Sequence, residues 1–116
     1  MNGDDSSRIL EADETLGDIV DILVLAVNPD RIFLFGSRSR ESEVTGSDYD
    51  LLIVKNGVSN EREVSRAAYR SLLDHGSAVP VDILVADEER LEIARGKIGN
   101  VLAGALVDGV KIYERA

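Results

Sequence analysis

Two short polar segments, ten residues apart, carry the side chains of this sequence that are best suited to chemistry. Gly36 and Ser37 follow one apolar run, and Asp48 and Asp50 stand at the start of the next. A glycine permits the sharp bend and close approach that backbone N–H groups need to hold a phosphate, and the serine hydroxyl adds a donor. A further aspartate, Asp82, stands in a later apolar run, VPVDILVA. The pattern predicts phosphate at the glycine bend and a cation at the aspartates.

The three aspartates have the chemistry of a divalent-metal site. Alternate residues of a β-strand face the same way, about 6.6 Å apart, so Asp48 and Asp50 would project together. Two carboxylates this close repel each other unless a cation lies between them, and ligand sets made only of oxygen favour Mg²⁺ or Mn²⁺ over zinc. Asp82 would join them if its strand lies beside theirs. Its apolar neighbours predict a buried charge that needs a partner such as the metal.

Phosphate and metal binding together indicate nucleotidyl transfer. In that reaction a metal ion polarises the α-phosphate, and a carboxylate such as Asp82 can accept the proton of an incoming hydroxyl. Taken singly, each feature has a simpler explanation, since Gly-Ser is ordinarily a turn, Asp-x-Asp is common at strand starts, and a lone aspartate can bond to backbone. Their combination, in order and beside apolar runs, favours the functional interpretation.

The periodicity of apolar residues predicts the elements that would position this site. Apolar residues recur at helical spacing from Leu16 to Val27, which predicts a helix over 13–27 that the Asn28-Pro29 pair ends. Turn residues and short apolar runs divide the rest of the chain. The predicted strands are 31–35, 49–54, 81–86 and 110–113. A second helix is predicted over 61–74, and a third helical region begins at Asp87-Glu88-Glu89, is interrupted by Gly96 and Gly99, and continues over 98–106. Ser59 or Asn60 would cap the helix over 61–74, with His75 and Gly76 at its end.

The order of these elements is helix, strand, strand, helix, strand, helix, strand. Such an order predicts an α/β or α+β fold, with one small sheet of about four strands flanked by helices. Residues 1–8 are predicted to form a frayed tail, and residues 9–116 a single domain. Residues 38–47 are polar and contain Gly46, which predicts a loop between the two halves of the site.

Composition narrows the class of protein. The chain has 116 residues, of which 44% are apolar, and no cysteine, which suits one domain, excludes disulfides and favours a reducing cytoplasm. Its longest apolar run is far shorter than the ~20 residues of a membrane span, and its acidic N-terminus is unlike a signal peptide. The formal net charge is −9. With basic residues scattered, we expect no direct binding to duplex nucleic acid.

The run LFGSRSRESEVTGSDYDLLIV resembles the core motif of the polymerase-β-type nucleotidyltransferase superfamily. In size the chain is similar to the minimal, single-domain branch of that superfamily, the MNT proteins, and GALVDGVKIYER resembles the family's closing helix-turn-strand. The resemblance implies a small mixed sheet and Mg²⁺-dependent use of ATP or another NTP. It implies that Gly36 and Ser37 hold the triphosphate, that Asp48 and Asp50 ligate metal, and that Asp82 is a third ligand and activates the acceptor.

Three further features bear on the resemblance. Arg38 and Arg40 match the family's basic loop positions, so Arg38 would either touch phosphate or remain a solvated loop residue. Where the family commonly has glycine after the second loop arginine, this chain has Glu41, which would alter the loop path or the charge near the phosphates. The chain also lacks the helical domain with which larger relatives hold antibiotics or RNA, so a partner protein would supply the acceptor.

The resemblance also implies a partner and a role. Many minimal members resemble antitoxins of a HEPN ribonuclease toxin, to which they transfer AMP at a tyrosine, and such a pair would form a hetero-oligomer. Two alternatives stay open: a non-catalytic module that blocks a toxin by contact and binds nucleotide, and an enzyme that modifies a small molecule such as an aminoglycoside. The intact aspartates favour catalysis over binding alone.

Overall fold

The computed structural model describes residues 10–11, 13–35, 49–76, 79–95 and 109–116. These residues form an α+β fold of three helices and four strands. In chain order the elements are α1 (Glu14–Val27), β1 (Arg31–Phe35), β2 (Tyr49–Val54), α2 (Glu61–Asp74), β3 (Val81–Ala86), α3 (Glu88–Ala94) and β4 (Val110–Glu114). The predicted fold class is confirmed, and so is each predicted element within these ranges. The predicted loop over 38–47, the helix over 98–106 and the tail over 1–8 lie outside the described residues.

Helix α1 begins and ends where its flanking residues change the backbone. The Asp13 carboxylate accepts a hydrogen bond from the Leu16 N–H at 3.1 Å, which satisfies one of the free donors of the first turn. At the other end Asn28 takes a left-handed conformation with φ of 47°. Asparagine tolerates that region better than most residues, and Pro29 then prevents the helix from continuing.

Helix α2 is capped at both ends by polar groups. The Asn60 side chain accepts from the Arg62 N–H at 3.0 Å. In the last turn the His75 ring Nδ1 lies 2.9 Å from the Ser71 carbonyl oxygen, and Gly76 follows with φ of 74°. A glycine adopts this positive φ without steric cost. The predicted roles of Asn60, His75 and Gly76 at the ends of this helix are confirmed.

The four strands form one mixed sheet in the order β3-β2-β1-β4. Strand β1 pairs antiparallel with both β2 and β4, whereas β2 and β3 run parallel. The parallel pair is joined through α2, as a crossover connection requires. Strands β3 and β4 are therefore the edge strands among the described residues. The sheet brings together two strands that are far apart in sequence, β2 and β3, and each carries an aspartate near its start.

Helices cover both faces of the sheet. Helices α1 and α2 pack on one face, around a core that includes Leu16, Ile19, Leu23, Ile32, Leu34, Leu51, Ile53, Ala68, Leu72 and Ile83. The shorter α3 packs on the opposite face through Leu91 and Ala94, against Leu52, Val54 and Ala86. Residues 51–54 of β2 are all buried, because successive side chains enter the two cores alternately. No helix in the described part of the chain is both long and apolar enough to cross a membrane.

Candidate functional site

The sheet places two of the predicted site aspartates side by side. Asp50, the second residue of β2, and Asp82, the second residue of β3, are register partners in the parallel pair. Neighbouring strands lie about 4.8 Å apart, and residues directly opposite each other on paired strands project to the same face. The two carboxylates therefore leave the sheet together, although 31 positions separate them in sequence.

This aspartate pair lies at the end of the sheet where β2 and β3 begin. It is on the face that α3 covers, in line with Leu52 and Leu84, whose side chains alternate with those of the α1–α2 face. Phe35, the last residue of β1, pairs with Asp50 across the antiparallel ladder. Gly36 follows Phe35 directly in sequence, so β1 ends beside the aspartate pair.

The surroundings of Asp82 differ from the sequence-based expectation. Its apolar neighbours predicted a buried carboxylate, but Asp82 is exposed and Asp50 is half-buried. The reason is that β3 is an edge strand, and the described residues leave the face at its start open to solvent. An exposed carboxylate needs no partner to offset desolvation, so burial gives no argument for a metal at Asp82. The position beside Asp50 gives the argument instead.

The other predicted site residues lie outside the described residues. They are Gly36, Ser37, Arg38 and Asp48, together with Arg40 and Glu41 of the loop between them. Their roles remain predictions. Among the described residues no cluster of three side chains is arranged to hold a metal ion. Two of the three predicted metal ligands, Asp50 and Asp82, are described, and these two are adjacent.

Tyr49 gives the aspartate strand an anchor that sequence reasoning did not find. Its side chain points away from that of Asp50, is 3% exposed, and its hydroxyl donates to Asp13 Oδ2 at 2.7 Å. Asp13 also caps α1, so one carboxylate joins the start of that helix to the start of β2. The contact spans 36 positions, and no local pattern in the sequence signals it.

A second tyrosine supports the neighbouring strand. The Tyr69 hydroxyl on α2 accepts a hydrogen bond from the Ile83 N–H at 2.8 Å, immediately after Asp82. This satisfies a backbone donor on an edge strand.

At the other edge of the sheet, on β4, Lys111 donates to Glu114 at 2.6 Å. That hydrogen bond, together with the lysine's charge, lowers the pKa of the Glu114 carboxyl.

The adjacent carboxylates fit a divalent cation. Both supply hard oxygen ligands, and both lie on one face of the sheet, at an end that the other described residues leave uncovered. Parallel carboxylates at this spacing repel each other when both are ionised, and a cation between them removes that repulsion. The donor set excludes sulfur, because the chain has no cysteine, and its one histidine, His75, caps α2. The arrangement therefore suits Mg²⁺ or Mn²⁺ better than a softer metal.

Comparison with known proteins agrees with this geometry. In structure the chain is similar to a candidate nucleotidyltransferase from Sulfolobus solfataricus, with a TM-score of 0.60 and 24% identity over 97% of this chain and 86% of that one. It is also similar to a chain in a toxin–antitoxin structure with AMP-PNP, with a TM-score of 0.51 and 18% identity over 84% of this chain and 73% of that one. At these identities the likenesses show the fold.

No protein with a curated description matches the sequence significantly. A family model for the nucleotidyltransferase domain, by contrast, matches residues 16–106, which is most of the chain. This range contains Gly36 and Ser37, the aspartate pair, and the described elements from α1, apart from its first two residues, to α3. Members of such a family use a nucleoside triphosphate and typically a divalent metal. The chain belongs to the nucleotidyltransferase domain family.

Proposed function

We propose that this protein is a Mg²⁺-dependent nucleotidyltransferase that moves AMP from ATP to a tyrosine hydroxyl of a partner toxin, and so acts as an antitoxin. The observation that carries the proposal is the register of Asp50 with Asp82. It puts two carboxylates from separate strands on one face of the sheet, beside the end of the strand that precedes Gly36. Family membership supplies the reaction class.

Asp48, Asp50 and Asp82 would hold the metal, and Gly36, Ser37 and Arg38 would bind the triphosphate. When bound, the metal would neutralise phosphate charge and lower the pKa of the attacking hydroxyl. The side chains of the protein would orient the acceptor beside the α-phosphate and receive its proton. The exposed Asp82 is suited to receive the proton, because an acceptor on another molecule can reach it.

The acceptor oxygen forms a bond to the α-phosphorus, and the bond from that phosphorus to the oxygen bridging to the β-phosphate breaks. Pyrophosphate leaves with the electron pair of the broken bond. The hydroxyl proton passes to the Asp82 carboxylate, which acts as general base. The products are pyrophosphate and a partner that carries an AMP ester.

The proposed partner is a HEPN-type ribonuclease toxin. Support comes from a structural neighbour that is part of a toxin–antitoxin assembly with AMP-PNP, and the fold likeness extends over 84% of this chain. The resemblance of the LFGS…SDYD motif to minimal antitoxins points the same way. The open end of the sheet at Asp82 also suits a macromolecular acceptor, because the described residues build no wall around it.

The test is whether this protein, given α-labelled ATP and Mg²⁺, labels its proposed partner. The partner to purify is the protein encoded by the adjacent reading frame. Asp82→Asn should slow labelling at least about 100-fold, because it removes the general base and a metal ligand with little change in volume. The double variant Asp48→Ala with Asp50→Ala should abolish labelling. Asp21→Asn is the matched control, since Asp21 is an exposed acid on α1, on the opposite face of the sheet.

A second readout separates catalysis from blocking by contact. Mn²⁺ binding, followed by electron paramagnetic resonance, should weaken in Asp50→Asn and stay unchanged in Asp21→Asn. Labelling that persists in the double alanine variant would refute the assignment of the aspartates. A double variant that cannot label the toxin but still inhibits it would instead identify a non-catalytic antitoxin.

A further inference from the structure

The outer face of α2 carries a row of arginines. Arg62, Arg66 and Arg70 are all exposed and follow one another at intervals of four residues. Residues at this spacing lie on one side of a helix, about 6 Å apart along its axis. The row brings three positive charges together in a chain with a formal net charge of −9. The exposed Glu63 and Asp74 of the same helix form no ion pair with these arginines within the described ranges.

These three guanidinium groups have no ion pair within the described ranges. Other arginines of those ranges do have acidic partners: Arg31 pairs with Glu88, Arg90 with Glu61, and Arg115 with Asp30. An acidic chain offers many carboxylates, so arginines left unpaired in a row on its surface are available to a partner. Arginine also suits interfaces, because its planar group binds carboxylates in a bidentate manner and sheds water more readily than an ammonium group.

Two large apolar side chains lie on the same outer side of α2. Leu73 is 73% exposed and Tyr69 is 38% exposed. Leu73 continues the row toward the end of the helix, three residues after Arg70, and Tyr69 stands three residues after Arg66. Tyrosine, arginine and exposed apolar residues are the types enriched in protein interfaces. We call this surface the α2 ridge, defined as Arg62, Arg66, Tyr69, Arg70 and Leu73.

The α2 ridge and the aspartate pair lie on opposite faces of the sheet and approach each other at the edge formed by β3. The Tyr69 hydroxyl is bonded to the Ile83 N–H, and Ile83 directly follows Asp82 in the edge strand β3. A partner protein that lies on the ridge at Tyr69 reaches the edge of the sheet there, and it would extend around this edge to the α3 face to meet the Asp82 side chain. An acceptor hydroxyl delivered to Asp82 and a docking contact on α2 can belong to one partner surface.

We propose that the α2 ridge docks the acceptor protein through an acidic surface next to its acceptor hydroxyl. The inference rests on the proposed function for the acceptor, while the chemistry of the ridge determines the partner's charge. The three arginines favour carboxylates on the partner surface, and Leu73 with Tyr69 favours an apolar partner residue among those carboxylates. Because the rest of the chain is acidic, a partner with a basic surface would bind other parts of the protein in preference to the ridge. The exposed Glu14, Asp18 and Asp21 of α1 are an example.

Tyrosine peptides flanked by glutamate, by lysine or by serine provide the probe. Their binding is measured by fluorescence anisotropy at low salt, and their labelling with α-labelled ATP and Mg²⁺. The wild-type protein should bind the glutamate peptide best. The double variant Arg66→Gln with Arg70→Gln should weaken that binding about tenfold, as expected for two exposed charge pairs. Leu73→Ala should weaken it as well.

Lys55→Glu is the matched control, because it also lowers the net charge by two. Lys55 follows the last residue of β2, five positions from Asp50 and about 17 Å along the strand direction. This variant should bind the glutamate peptide as the wild type does. An equal loss in both variants, or no preference among the peptides, would overturn the proposal.

The readouts separate this proposal from the proposed function. Arginine-dependent binding of the glutamate peptide without labelling of any peptide would leave the docking surface standing and count against transfer to tyrosine. Labelling of all three peptides alike would support transfer and refute the docking surface. Sedimentation of the protein alone gives a third outcome: a dimer that Arg66→Gln with Arg70→Gln dissociates would show that a second copy occupies the ridge.

Discussion

At the scale of single residues, the alternation of side chains along β2 explains how the chain presents an aspartate and holds it in place. Asp50 projects to the sheet face that carries α3, beside Asp82, and Tyr49 projects into the core beneath α1 and α2. The hydroxyl of Tyr49 reaches Asp13, so the residue beside the proposed metal ligand is tied to the start of a helix. Strand pairing sets the face to which Asp50 projects, and the contact of Tyr49 with Asp13 adds a hold on the start of the same strand.

Tyr49→Phe tests the anchor. Loss of the hydrogen bond to a carboxylate should lower the free energy of unfolding by about 1–2 kcal/mol, with no change in the urea dependence of that free energy. Equilibrium urea denaturation measures both. Tyr113→Phe is the control, because within the described ranges the Tyr113 hydroxyl has no hydrogen-bond partner and the residue is half-buried. Equal losses in the two variants would contradict a specific role for the contact with Asp13.

At the scale of elements, the edge strand β3 has to remain open enough for an acceptor and yet avoid pairing with other strands. An edge strand exposes N–H and C=O groups that can pair with another chain. Helix α2 covers part of this edge with the Tyr69 hydroxyl, which takes the Ile83 N–H. Two neighbouring elements thus stabilise the strand that carries Asp82, one by parallel pairing and the other by a side chain.

Tyr69→Phe should leave the Ile83 N–H without its partner. We expect the Ile83 amide to exchange its hydrogen about tenfold faster, which corresponds to the loss of one net hydrogen bond. Amide hydrogen exchange, followed residue by residue by NMR, measures this rate. The amide of Leu52 in the central strand β2 should be unaffected, and unchanged exchange at Ile83 would show that water replaces the tyrosine at no cost.

At the scale of the whole molecule, the sheet works as a partition between two cores. Leu51 and Leu52 are both fully buried, yet Leu51 packs beneath α1 and α2 whereas Leu52 packs beneath α3. The aspartate pair stands at the end of the α3 face. The smaller core therefore lies directly behind the proposed site, and its packing should matter as much for stability as that of the larger core.

Leu51→Ala and Leu52→Ala compare the two cores with one chemical change at adjacent positions. Each variant should lose about 2–5 kcal/mol of unfolding free energy, a large part of the ~5–15 kcal/mol typical of a small domain. Thermal and urea denaturation measure the loss. Leu25→Ala, at a position that is 86% exposed, is the control and should be nearly neutral. A neutral Leu52→Ala would mean that α3 adds little to the core.

Local patterns in the sequence were enough to predict the described elements. Apolar residues at helical spacing marked α1 and α2, and short apolar runs bounded by Asn28-Pro29, Gly36 and Gly57 marked the strands. These signals are local because side chains repeat along a helix or strand with a fixed period. The spacing of apolar residues within one segment therefore indicates which of its faces are buried. The motif around Gly36 and Asp48 likewise indicated a nucleotidyltransferase, which the family model confirms, whereas membership of the MNT branch stays a prediction.

The tertiary structure alone decided which distant residues meet. Parallel pairing of β2 with β3 placed Asp82 beside Asp50, and the edge position of β3 made Asp82 exposed where its apolar neighbours predicted burial. The contacts of Tyr49 with Asp13 and of Tyr69 with Ile83 also belong to the packed fold. Strand order and helix placement depend on the burial of all elements together, and no segment of sequence carries that information by itself.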